Sequence, residues 1–129
     1  MPLASRCQSP AATILVVEDE ASVRETVAHS LRYLGYNVLE AGNGEQGLAI
    51  SRENRGQIDM IFTDVVMPRM SGPAMVSSMR QEKITFPVLY TTGFADDPGI
   101  ADEDNLIIKP YTTKLLAARI RETLDHVKA

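Results

Sequence analysis

The chain has 129 residues, 44% hydrophobic and 23% charged, a composition that fits one ordinary globular domain and not a disordered segment. The 13 basic residues against 17 acidic ones give a net charge of −4, which argues against nucleic-acid binding through clustered Lys and Arg. Cys7 is the one cysteine, so an internal disulfide and a Cys-rich zinc site are both excluded. No segment approaches the ~18 to 20 consecutive apolar residues of a membrane-spanning helix. Met1 to Pro10 carries a single Arg and no apolar run of the secretory kind. The expectation is a cytoplasmic domain over residues 12–127 behind a tail at 1–11, with no membrane partner.

In chain order, Ala12 to Val17 is a short apolar run rich in β-branched residues, the pattern of a strand buried on both faces. It breaks into Glu18-Asp19-Glu20. A helical stripe follows through Val23, Val27, Leu31 and Leu34, with Gly35 set to end it. Tyr36 to Glu40 reads as a second strand, and Asn43 as the cap of a helix through Leu48 and Ile50. Gly47 inside that helix costs up to about 1 kcal/mol against Ala. Ile58 to Thr63 is a third strand running onto Asp64, followed by a loop, Val65 to Ser71. A helix from about Gly72 to Lys83 carries Pro73 in its first turn and turns Met75, Val76 and Met79 inward. Pro87 to Thr91 and Asn105 to Ile108 give the fourth and fifth strands. The last helix begins near Thr112, with Leu116, Ile120, Leu124 and Val127 on one face. His29 and His126 lack a metal-ligand pattern and read as surface residues. Between the last two strands, Phe94 to Asp104 holds Pro98, Gly99 and packed acids, which leave room for a turn or two of helix and predict raised mobility.

Alternating strands and helices predict an α/β protein, a doubly wound, five-stranded parallel sheet with a shortened fourth helix; the order 2-1-3-4-5 is adopted from flavodoxin-like sheets of this kind and does not follow from the alternation alone. Such sheets bind ligands beyond the C-terminal strand ends, where the strand order reverses. Glu18 and Asp19 end the first strand and Asp64 the third, so this order brings their carboxylates to one edge. Close carboxylates repel unless protonated or bridged by a cation, and Mg²⁺ is the hard, oxygen-seeking ion that suits them. Lys109, ending the fifth strand, adds a point charge, and Thr92, ending the fourth, adds a hydroxyl. Acids for a metal, an acid able to act as nucleophile, a Lys and a Thr are the parts of a phosphoryl-transfer site.

Each piece has an ordinary reading when taken alone. Asp64 is then a loop acid, Glu18-Asp19-Glu20 a run suited to a helix dipole, Thr92-Gly93 a turn and Lys109-Pro110 a strand ending. Their joint location on one sheet edge decides against that. Val17-Glu18-Asp19-Glu20, Asp64 through Gly72 (Asp-Val-Val-Met-Pro-Arg-Met-Ser-Gly), Thr91-Thr92-Gly93 and Lys109-Pro110 together resemble the response-regulator receiver domains of two-component signalling. The wording is similar above all to receivers of hybrid histidine kinases. The resemblance implies that Asp64 accepts a phosphoryl group from the phosphohistidine of a sensor or hybrid histidine kinase, or of a histidine phosphotransfer protein. It implies Mg²⁺ on Asp19, Asp64 and the backbone carbonyl of Val66, with Glu18 acting through a bound water. Lys109 and Thr92 then hold the phosphoryl oxygens, and the Lys109–Pro110 bond is cis. A signalling switch or phosphorelay intermediate is implied, with an unknown downstream protein and no activity as a conventional enzyme.

Three departures stand out. Leu106 occupies a position where receivers usually carry an aromatic ring that moves with the Thr. The stretch from Thr92 to Lys109 is short, which argues against dimerisation through that face. Val66 and Phe94 are apolar where the family often places polar groups that guide water, so a long-lived aspartyl phosphate is expected. Two rival functions remain at this stage. A Mg²⁺-dependent aspartate-nucleophile phosphatase needs a second acid two residues after its nucleophile, where this chain has Val66. A receiver-like interaction module that is never phosphorylated needs no acceptor site, yet the acceptor-site residues are present.

Overall fold

The computed structural model describes residues 11–93 and 105–128. Cys7, Phe94, the short crossover before the last strand and the side chain of His126 lie outside the described residues. The strands are β1 (Thr13–Val17), β2 (Asn37–Ala41), β3 (Met60–Asp64), β4 (Val88–Thr92) and β5 (Leu106–Ile108). The helices, among the described residues, are α1 (Ala21–Tyr33), α2 (Gly44–Glu53), α3 (Gly72–Gln81) and the C-terminal α4 (Thr113–Lys128). All strand pairs are parallel, in the order β2-β1-β3-β4-β5.

Strand alternation sorts the apolar side chains into two cores. Ile14, Val16, Met60, Phe62, Leu89 and Ile107 pack on one face against Val27, Leu31, Leu116 and Ile120 of α1 and α4. Leu15, Val17, Ile61 and Tyr90 pack on the other against Leu48 of α2 and Met75, Val76 and Met79 of α3. Burial on both faces is why these strands read as unbroken apolar runs. Met75 and Met79 are fully enclosed, so truncating either to Ala costs about 2–5 kcal/mol.

The expected boundaries shift by a residue or two, for identifiable reasons. β3 starts at Met60 because the Asp59 carboxylate turns back to accept from Thr13 N at 2.7 Å. α3 stops at Gln81, since Lys83 takes a left-handed φ of 63° and the Ile84 N–H closes back on the Met79 carbonyl at 2.9 Å. Leu34 does not continue the buried stripe of α1. It follows the helix as its C-cap and is 41% exposed, because Gly35 at φ 101° turns the chain away. Gly47 is explained by proximity: a Cβ there would lie 2.6 Å from Met75 Sδ and 3.1 Å from Val17 Cγ2. The helix propensity lost at this position is offset by close packing of α2 on β1 and α3.

The caps that fix the helices beside the site are local. Asn43 Oδ1 accepts from Gln46 N at 2.8 Å, as expected for α2. Ser71 Oγ accepts from Ala74 N at 3.2 Å at the start of α3, and Thr112 Oγ1 from Leu115 N at 3.0 Å before α4. The strand order reverses between β1 and β3, which leaves a crevice at their C-terminal ends.

Candidate metal and phosphoryl site

The ends of β1 and β3 converge on three carboxylates. Glu18 extends the β1–β2 ladder by one bond, its N–H donating to the Ala41 carbonyl at 3.1 Å. It is 4% exposed, and its Oε1 accepts from Glu20 N at 3.2 Å. Asp19 projects into solvent, while Asp64, the last residue of β3, is buried. One carboxylate oxygen from each of Glu18, Asp19 and Asp64 lies within 4.8 Å of the other two. Burial and the neighbouring Asp64 charge push the Glu18 carboxyl up to about 7.

Lys109 follows β5 and reaches across the edge. Its Nζ donates to Asp64 Oδ2 at 3.1 Å and to Glu18 Oε2 at 3.5 Å. Burial alone would lower its pKa, but the Asp64 hydrogen bond and the two carboxylate charges leave it raised, so Lys109 is a fixed cation. Three carboxylates and one ammonium sum to a formal −2. Hard oxygen donors with that residual charge fit a divalent cation such as Mg²⁺. Tyr111, edge-on to Phe62 with centroids 6.2 Å apart, interacts electrostatically with Lys109, Glu18 and Asp64. Burial drives its phenol up to about 12, so it stays neutral.

The end of β4 is tied into the same edge from both sides. Val65 N donates to the Thr91 carbonyl at 3.0 Å, and Lys109 N to the Thr92 carbonyl at 2.8 Å. Thr92 is buried at the strand end, next to the strand that carries Asp64. Val66 sits in the loop after Asp64 with its side chain 60% exposed. The Lys109–Pro110 peptide is cis, as expected. Glu18, Asp19, Asp64 and Lys109 are thus brought together by direct distances, with Thr92 and Val66 adjoining them on the same edge. Leu106 is partly buried against the α2/α3 core rather than at this cluster.

Two residues to which the sequence assigns no role also adjoin the site. Arg24, in the second turn of α1, donates from Nη1 to the Glu18 carbonyl at 2.9 Å while its Nε stands 3.6 Å from Glu40 of β2. A long cationic side chain little more than a turn beyond an acid loop was the available signal. Thr91 is buried beside Asp64, and no sequence signal separates it from an ordinary strand threonine.

Residues 14–121 match the family model of the response regulator receiver domain. The chain belongs to that family. This receiver domain is 35% identical over 123 residues to the sensor kinase CckA of Brucella abortus, covering 91% of the chain and 13% of that protein. It is 34% identical over 124 residues to the probable transcriptional regulatory protein TcrX of Mycobacterium tuberculosis, covering 92% and 52%. The receiver therefore spans an eighth to a half of these relatives. The crystal structure of the receiver domain of the hybrid histidine kinase CckA is 39% identical, with a TM-score of 0.76 and coverage of 88% and 99%. The chemotaxis protein CheY4 of Vibrio cholerae is 28% identical, with a TM-score of 0.78 and the same coverage. The chain is accordingly a receiver domain of two-component signalling with the flavodoxin-like fold. No helix among the described residues is long and apolar enough to cross a membrane.

Proposed function

We propose that this receiver takes a phosphoryl group from a partner's phosphohistidine onto Asp64 and passes on the signal as a switch or phosphorelay intermediate. One observation carries the reading: the Lys109 ammonium sits 3.1 Å from Asp64 Oδ2 inside a cluster of three carboxylates. A carboxylate oxygen of Asp64 attacks the phosphorus, the P–N bond to the imidazole breaks, and the ring nitrogen keeps that electron pair. Asp19, Asp64 and the Val66 carbonyl would hold Mg²⁺, with Glu18 acting through a bound water. When bound, the ion supplies positive charge to the carboxylates and phosphoryl oxygens. Lys109 follows the negative charge as it moves from Asp64 to the phosphoryl oxygens, and the Thr92 hydroxyl donates to one of them.

The donor is a histidine kinase or histidine phosphotransfer protein, and it has to rest on the surface beside Asp64. A groove of about 430 Å³ between α1 and α4, lined by Ser22, Val23, Thr26, Tyr111 and Leu116, opens next to Lys109 and is part of that surface. The cytoplasm is the proposed location of this exchange.

The test is incubation with acetyl phosphate or beryllofluoride, read by intact mass and by NMR. The expected outcome is a Mg²⁺-dependent adduct on the wild-type chain and none on Asp64→Asn. Absence of any wild-type adduct would leave the interaction-module reading standing. Steady release of phosphate from free phosphoesters would favour the phosphatase.

A further inference from the structure

The hydroxyl of Thr91 is 2% exposed at the residue level and its oxygen makes no hydrogen bond. Among the described residues it is the one buried side-chain polar atom in that condition. A threonine in a strand can usually find an acceptor, so an orphan of this kind calls for a cause. Its surroundings supply one.

Thr91 is the register partner of Asp64 on the neighbouring strand. Two residues back along each strand, Leu89 and Phe62 face α1 and α4, and so does Ile107, the partner of Thr91 on β5. By alternation, Thr91 and Asp64 therefore project to the same face, from strands about 4.8 Å apart. In the resting chain the Asp64 carboxylate is turned to Lys109, its Oδ2 held at 3.1 Å. With the carboxylate held that way, neither of its oxygens accepts from the Thr91 hydroxyl, which stays unpaired on the same face.

Resting on the reading of Asp64 as the phosphoacceptor, we infer that Thr91 is a second hydroxyl donor to the phosphorylated aspartate, unpaired at rest and paired once the phosphoryl group is on. Phosphorylation converts the carboxylate into a neutral acyl carbonyl plus an ester oxygen, and the negative charge moves out to the phosphoryl oxygens. Lys109 follows that charge. Freed from Lys109, the acyl oxygen turns about the Asp64 side chain toward the face it shares with Thr91, and the Thr91 O–H donates to it. The orphan thus raises the free energy of the resting form relative to the phosphorylated one, and the lost bond is recovered only in the latter.

The experiment compares Thr91→Val, which removes the hydroxyl and keeps the shape, with Thr91→Ser, which keeps the hydroxyl. Thermal midpoints are measured on the free chains, and beryllofluoride affinity is measured with Mg²⁺ present. Thr91→Val is expected to melt a few degrees higher than wild type yet bind beryllofluoride about ten-fold more weakly, the size of one hydrogen bond. Thr91→Ser is expected to stay within about two-fold of wild type in affinity. Opposite signs in the two states distinguish the donor role from a merely structural one. If the hydroxyl simply held a buried water, the Val variant would lose stability and affinity together, and the inference would fall. Wild-type affinity in the Val variant, or loss of affinity in both variants, would also overturn it. Failure of the wild-type chain itself to bind beryllofluoride would overturn the Asp64 reading instead.

Discussion

A Cβ on Gly72 would lie 2.3 Å from the carbonyl oxygen of Asp64. The first residue of α3 is thus pressed against the backbone of the candidate phosphoacceptor, and the Gly72 N–H donates to the Val65 carbonyl at 2.9 Å to hold it there. Gly72→Ala must push Asp64 or α3 aside. It should lose about 1–3 kcal/mol in urea unfolding and slow adduct formation on Asp64. An alanine variant labelled at the wild-type rate would mean that the loop absorbs the methyl group.

Arg24 joins the acid loop to β2 through the Glu18 carbonyl and Glu40, which also pairs with Arg32 at 3.0 Å. Removing it in Arg24→Ala should cost about 1–2 kcal/mol and loosen the backbone between Glu18 and Asp19. Calorimetric titration should then show Mg²⁺ binding weakened several-fold. Unchanged metal affinity would limit Arg24 to a stabilising role.

The raised Glu18 carboxyl makes the metal-free domain pH-dependent. With a folded pKa of about 7 against the ordinary 4.5, the folded state holds the proton more tightly than the unfolded one. Stability is therefore greatest below pH ~4.5 as far as this group is concerned, falls as pH rises from there to about 7, and levels off above it. Urea midpoints between pH 5 and 8 without metal should show the decline, and Glu18→Gln should flatten it. Added Mg²⁺ should reverse the trend at the upper end, because it binds the ionised form.

Asn43 caps the start of α2, while the Gln46 side chain accepts in turn from Gly42 N at 2.7 Å. Asn43→Ala should lower stability by about 1 kcal/mol, and Asn43→Asp should not. Equal urea midpoints for the Ala variant and wild type would show that the Gly44 end is held by packing on Met70 instead.

The sheet and the carboxylate edge were legible because parallel strands buried on both faces write themselves as short apolar runs, and here two of those runs stop on acids. Glu18, Asp19, Asp64 and Lys109 could be found that way. Gly47 read as a weak point in a helix, since nothing local announces that Met75 and Val17 press against it. Leu34 fitted the helical stripe by spacing alone, and the left-handed turn at Gly35 is what took it out of the core. Arg24 and Thr91 escaped notice because their meaning lies in what another strand brings next to them.

β5 is three residues long, and among the strands it pairs with β4 alone. The cation of the cluster therefore hangs from the segment with the fewest ladder bonds to break. Fraying there would swing the ammonium away from Glu18 and Asp64 while the rest of the sheet stayed closed, at a free-energy cost well below that of global unfolding. Amide exchange at Ile107 through Lys109 would then report how often the anionic crevice stands open, and any partner that clamps this edge strand would tighten the site without touching a single carboxylate.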